Sequence, residues 1–214
     1  MALAHFTADT FEDVGRHLHA FGHIIGPDRL NGLSPSGHRD DAVVAVSMLL
    51  RIGGQLVSAS ADLIIDGRHY AGAALVMQLV EIEYLAWAFE TNNEDAARWL
   101  RSTRQERESF FTPAKLRKAA HGRFRGVDYG NHRELGGHPV PRSWVLLNDD
   151  VVVPQVMLSD CLGHAERIWN HIVSWADRHM LGETMHRNIE EMSRQYAEWH
   201  RIDALTILSL SIAT

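Results

Sequence analysis

A single cysteine, Cys161, occurs among the 214 residues. One thiol excludes an internal disulfide framework and fits a reducing, cytoplasmic compartment. The opening MALAHFTADTFEDVG has no basic stretch followed by an apolar run, so no signal peptide is expected. No uncharged apolar run reaches the ~18 residues of a membrane span. The most hydrophobic stretch, AGAALVMQLVEIEYLAWAF, carries Gln78, Glu81 and Glu83 inside it. Strong net basicity is also missing. The formal charge of −6 argues against a surface coated for duplex nucleic acid. There is no His-Glu-x-x-His, no cysteine pair, and only one Glu-x-x-His, at Glu183 and His186. A di-iron bundle would need two such motifs plus further glutamates, so no metal or other cofactor is expected. Neither an internal repeat nor alternating strand and helix patterns occur.

The composition that remains is that of an ordinary folded domain, 45% hydrophobic and 22% charged, with an excess of histidine, 14 in all. Apolar spacing divides the chain into helices. From Thr10 to Ile25, Phe11, Val14, Leu18, Phe21 and Ile25 form one stripe, closed by Gly26-Pro27. Residues 40–66 are apolar on most sides, with Gly53-Gly54 as an expected kink. Residues 68–90 are apolar all round, the mark of a central helix. EDAARWLRSTRQERESFF reads as a fourth helix and AKLRKAA, after Thr112-Pro113, as a fifth. Residues 122–143 are rich in glycine and proline and read as irregular. SWVLLNDDVVVP reads as a small β-hairpin near 144–153. A long helix follows from Pro154 to about Met180, and a last one after Gly182. The expectation is an all-α bundle with a core over 38–181. An N-terminal helix and loop (1–37) and a C-terminal helix (182–214) pack on the same domain.

Charge is uneven. Residues 98–125 hold nine basic side chains against Glu106 and Glu108, +7, which leaves about −13 for the remainder. A basic segment can neutralise phosphates, so Arg101, Arg104, Lys115, Lys118 and Arg125 are candidate RNA-binding residues, with His132 close by. The competing reading is a solvated face paired with acids elsewhere in the chain or in a partner.

Just beyond it stands VDYGNHRELGGHPVP, where Arg133 and His138 are separated by four residues. With Gln78-x-x-Glu81 in the apolar helix, Tyr129, and His138-Pro139, the sequence resembles the HEPN superfamily, helical bundles whose ribonucleases carry Arg-x(4–6)-His. The resemblance spans roughly residues 40–180. It implies a metal-independent endoribonuclease with Arg133 and His138 as catalytic pair, a 2′,3′-cyclic phosphate product and a homodimer. A role as toxin or phage-defence effector, with a cognate antitoxin or defence protein as partner, is implied as well. A non-catalytic adaptor that binds RNA or protein, or a small-molecule-binding regulator, are the rival readings.

The spacing alone does not select a pair, since chance supplies about four matches in such a composition. Four occur: Arg16/His23, Arg125/His132, Arg133/His138 and Arg194/His200. Context favours Arg133/His138, beside the basic stretch and in a glycine-rich segment where Gly136-Gly137 lets backbone approach a ligand. His138 would move the 2′-hydroxyl proton and Arg133 would stabilise phosphoryl charge. Glu81 completes the candidate catalytic set, because a carboxylate in an apolar helix needs a partner. That partner is either Arg133 or a core arginine such as Arg51, with Gln78 one turn away. Glu83 reads as peripheral.

Overall fold

A computed structural model of the protein describes residues 1–147 and 152–203, and among them every regular element is helical. The first helix, α1 (Ala2–Ile24), starts eight residues before the apolar stripe that the sequence marks. Its early buried residues are the small Ala4, Thr7 and Ala8, which contribute little to an apolar pattern. Helix α2 (Asp41–Ile65) is capped by Asp40, whose carboxylate accepts from the Val43 amide at 3.0 Å. The helix runs unbroken through Gly53-Gly54. Both glycines face α1, and a Cβ on Gly54 would lie 2.8 Å from the Ala8 carbonyl oxygen. They let two helices approach closely and leave α2 unbroken.

Helix α3 (His69–Thr91) lies at the centre, between α2 and α8 (Val152–Arg178), as its all-round hydrophobicity requires. Leu79, Val80, Tyr84 and Phe89 of α3 share the core with Leu49, Leu50 and Val57 of α2 and with Ile168, Trp169, Ile172 and Trp175 of α8. Phe11 of α1 stacks on Trp169 with centroids 5.9 Å apart. The last helix, α9 (Gly182–Ile202), closes against α1 and α8, and Tyr196 meets Thr7 at 3.2 Å between the two hydroxyls. Both α2 and α3 are long and apolar enough to cross a membrane. More than half of their most apolar windows, 56% and 61%, is buried inside this bundle.

Three expectations change. The single helix over 94–111 is two, α4 (Asp95–Arg101) and α5 (Arg104–Phe110). Thr103 and Glu106 form a reciprocal capping box that restarts the helix after Ser102. After α6 (Pro113–Ala119), residues 122–143 are irregular only in part, at 122–125 and 138–140. Between these stretches lies α7 (Gly126–His132), which runs into a π-helical turn at Arg133–Gly137. The turn's register follows from the His138 amide donating to the Arg133 carbonyl at 3.1 Å. The hairpin expected near 144–153 does not form at the described positions. Pro141–Leu147 is a 3-10 helix and Val152-Val153 already belong to α8, while 148–151 lie outside the described residues.

Candidate functional site

Gly136 fixes where the glycine-rich segment lies. It is buried against α3, where an added Cβ would sit 2.3 Å from the Ala73 carbonyl carbon. The close approach that glycine allows here is therefore to a helix backbone and not to a ligand. Docking this turn on α3 brings the end of α7 over α8. His132, the last residue of α7, then meets Asp160 and His164, one turn apart on α8.

The group so assembled is charged, with His164 and its partner Glu83 buried and His132 and Asp160 only partly so. The His164 Nδ1 lies 2.6 Å from the Glu83 carboxylate, and its Nε2 lies 3.2 Å from the Nε2 of His132. Asp160 spans the pair, with Oδ1 3.5 Å from His164 Nε2 and Oδ2 3.5 Å from His132 Nδ1. Arg167 donates from Nε to the other Glu83 oxygen at 2.9 Å. Its NH2 also stands 2.8 Å from His164 Nδ1. A guanidinium has only donors, so with the Nδ1 proton directed at Glu83 this second approach is a packing contact and not a hydrogen bond.

The electrostatics follow from the packing. Burial opposes a charge on His164, but hydrogen bonds to Asp160 and Glu83 outweigh it and hold its pKa above the ordinary histidine value. Burial lowers the pKa of His132. Asp160 opposes that effect in part, and the neighbouring His164 adds to it. Burial alone would raise Glu83 and Asp160, yet His164 and Arg167 keep both carboxyls below their usual range. The arrangement therefore favours charge on His164, between two carboxylates, over charge on the neighbouring His132.

Two cavities meet at this group. One, of about 460 Å³, lies between α8, α9 and the turn after α7, mostly apolar through Val76, Leu146, Met157 and Trp199. His132, Asp160 and Arg167 lie on one part of its wall; Glu166 and His200, 3.0 Å apart, lie on another. The second, of about 400 Å³, is lined by Arg123, Arg125 and Arg167 together with His132, His164, Glu83 and Asp128.

The residues singled out from the sequence distribute as follows. Arg133 and His138 are exposed on the π-turn and joined only through the backbone. Glu134, beside Arg133, pairs with Arg142 at 2.7 Å. Glu81 takes neither partner expected of it. It is half-buried and accepts from the Tyr129 hydroxyl at 3.2 Å, while Arg51 reaches Glu12 at 3.5 Å and Gln78 is exposed. Glu83, read as peripheral, is the buried carboxylate, 5% exposed. Of the basic segment, Arg101 is committed to Asp41 and Asp28 at 2.6 and 2.8 Å. Arg104 pairs with Glu108, Arg98 lies over the Phe110 ring, and Arg117 lies over Tyr129. Lys115, Lys118, Arg123 and Arg125 are exposed.

Sequence reasoning had one usable signal for this site, the Asp160/His164 spacing of four on an apolar helix. The partner Glu83 is 81 residues away. Because α3 is apolar all round, periodicity does not tell which of its two carboxylates faces inward. Comparison with protein-family models, curated proteins and solved structures finds no match to this chain.

Proposed function

We propose that this protein is a metal-independent phosphodiesterase acting on RNA, as the HEPN resemblance implies, with the reacting histidine at His132 and not at His138. One observation carries the reading. A carboxylate-backed imidazole pair stands where an arginine-lined cavity meets a larger, mostly apolar one.

The chemistry follows from the proton arrangement. Arg123, Arg125 and Arg167 hold the phosphate and stabilise charge on its non-bridging oxygens. The ribose 2′-hydroxyl loses its proton to solvent as its oxygen bonds to phosphorus. The bond from phosphorus to the 5′-oxygen breaks. That oxygen takes a proton from His132 Nδ1, which is replaced at Nε2 by the proton of His164 Nε2 across the 3.2 Å contact. Glu83 and Asp160 hold the charged His164 in place before the transfer. The products are a 2′,3′-cyclic phosphate and a 5′-hydroxyl.

The resemblance further implies a homodimer, with an antitoxin or defence-system protein as a further partner, and the single cysteine fits a cytoplasmic location. Light scattering on the purified chain tests the dimer. Cleavage of single-stranded RNA in EDTA tests the chemistry. His132→Ala is expected to lose ~10²–10⁴-fold in rate and His138→Ala to stay within a few-fold of the parent. The reverse pattern returns the site to the Arg133/His138 pair, and intact RNA with the parent protein removes the nuclease reading.

The mostly apolar wall of the larger cavity favours a second reading, a small amphiphilic ligand whose charged end meets Arg167 and whose body lies on Trp199. Such a ligand would raise the melting temperature of the parent protein and not that of an Arg167→Ala variant.

A further inference from the structure

We propose that His132, Asp160 and His164 form a binding site for one divalent transition-metal ion, zinc in the first place, and that its occupancy switches off the proton relay. The donor geometry carries the inference. One ligand atom from each of the three residues lies within 4.8 Å of the other two. His164 Nε2 is 3.2 Å from His132 Nε2 and 3.5 Å from Asp160 Oδ1. Two nitrogens bound to one tetrahedral zinc at ~2.0–2.1 Å are about 3.3 Å apart. The two imidazoles thus already stand at the separation of neighbouring ligands.

Two independent features support the same use. His164 carries its own orienting partner, because Glu83 takes the Nδ1 proton and leaves Nε2 for an ion. That carboxylate–histidine arrangement fixes tautomer and ring orientation in metal sites. Charge fits as well. Asp160, Glu83 and Arg167 sum to −1 around neutral imidazoles, which a dication offsets. Three protein ligands beside a cavity of about 460 Å³ leave the fourth position to water or a small anion. Imidazole and carboxylate without thiolate suit zinc, copper or nickel better than magnesium or calcium.

The regulatory half rests on the phosphodiesterase reading; the binding half does not. An ion on both Nε2 atoms takes the lone pair and the proton that the relay exchanges, so metal-bound protein does not deliver a proton. Metal-free protein titrated with Zn²⁺ by calorimetry, and with Co²⁺ followed by visible absorption, tests binding directly. One ion per chain is expected, with the intense visible bands of tetrahedral Co²⁺. His164→Ala is expected to abolish binding, and Glu83→Gln to weaken it ~10–100-fold. Asp160→Asn, at a side chain 40% exposed and so tolerant of change, is expected to weaken it at least tenfold, with circular dichroism confirming the fold. His138→Ala is expected to bind as the parent does. Absence of saturable binding at one ion per chain, or binding unchanged in both Asp160→Asn and His132→Ala, overturns the site. Zinc binding without RNA cleavage in EDTA leaves the site standing and sinks the nuclease. Cleavage that one equivalent of zinc does not inhibit overturns the switch alone.

Discussion

His132 and His164 present their Nε2 atoms to one another at 3.2 Å, although one ends a seven-residue helix and the other lies within the 27-residue α8. The pair exists because Gly136 seats the turn after α7 directly on the backbone of α3. The centre is therefore only as stable as that seat and as the carboxylates behind it, and both can be tested.

Glu83 and Glu81 are two residues apart on α3 and should respond very differently to removal. Glu83→Ala leaves Arg167 without its carboxylate and the buried His164 with Asp160 alone, a loss of about 3–5 kcal/mol in chemical denaturation. Glu81→Ala removes one hydrogen bond from Tyr129 and should cost about 0.5–1.5 kcal/mol. A larger loss at Glu81 would contradict the burial assigned to the two carboxylates.

Adjacent glycines should separate in the same way. A methyl group on Gly136 meets α3 backbone, which cannot move aside, so Gly136→Ala should destabilise by ~1–3 kcal/mol. The nearest atom to a methyl group on Gly137 is the flexible Arg133 Cγ at 3.1 Å, and Gly137→Ala should melt near the parent. Equal melting temperatures for the two variants would argue against the docked turn.

Asp41 sets an acid limit on stability. Burial works to raise its pKa, but hydrogen bonds from Arg101, Ser34 and His38 bring it below the ordinary 3.8. A depressed carboxyl contributes stability that is fully present above pH 3.8 and lost as pH falls through the lower folded-state value. Removing the cation should raise the acid-unfolding midpoint, so Arg101→Met should unfold at higher pH than the parent in a fluorescence titration. An unchanged midpoint would show that the Arg101 bridge does not hold Asp41.

The same bridge predicts which arginines matter for RNA. Arg101 is occupied by two carboxylates, whereas Arg123 and Arg125 line the cavity beside His132. Arg123→Glu with Arg125→Glu should weaken RNA binding and reduce the slope of log affinity against log salt by about 2. Arg101→Met, measured below its melting temperature, should leave that slope alone. A changed slope for Arg101→Met only would move the interface to α4.

Much of the fold was legible in the chain because helical burial repeats every three to four residues. Phe11, Val14 and Leu18 mark α1, and the all-round apolarity of residues 68–90 marks α3 as central. The break at Thr103 was missed although its capping pattern, Thr103-x-x-Glu106, stands in the sequence, because the residues on either side read as one helical stretch. Residues 126–137 were not legible, because their glycines, read locally, signal a loop. Gly136 is there to fit against Ala73, some sixty residues earlier in sequence.

By itself the sequence determined an all-α bundle, its long helices and the uneven charge of residues 98–125, since periodicity, caps and composition are local properties. Tertiary structure alone decided that Glu83 and not Glu81 is buried, that Arg101 is engaged, and that His132 joins Asp160 and His164. The physical reason is that a carboxylate's environment depends on which helix packs against its face. On α3, apolar on every side, that choice belongs to α8.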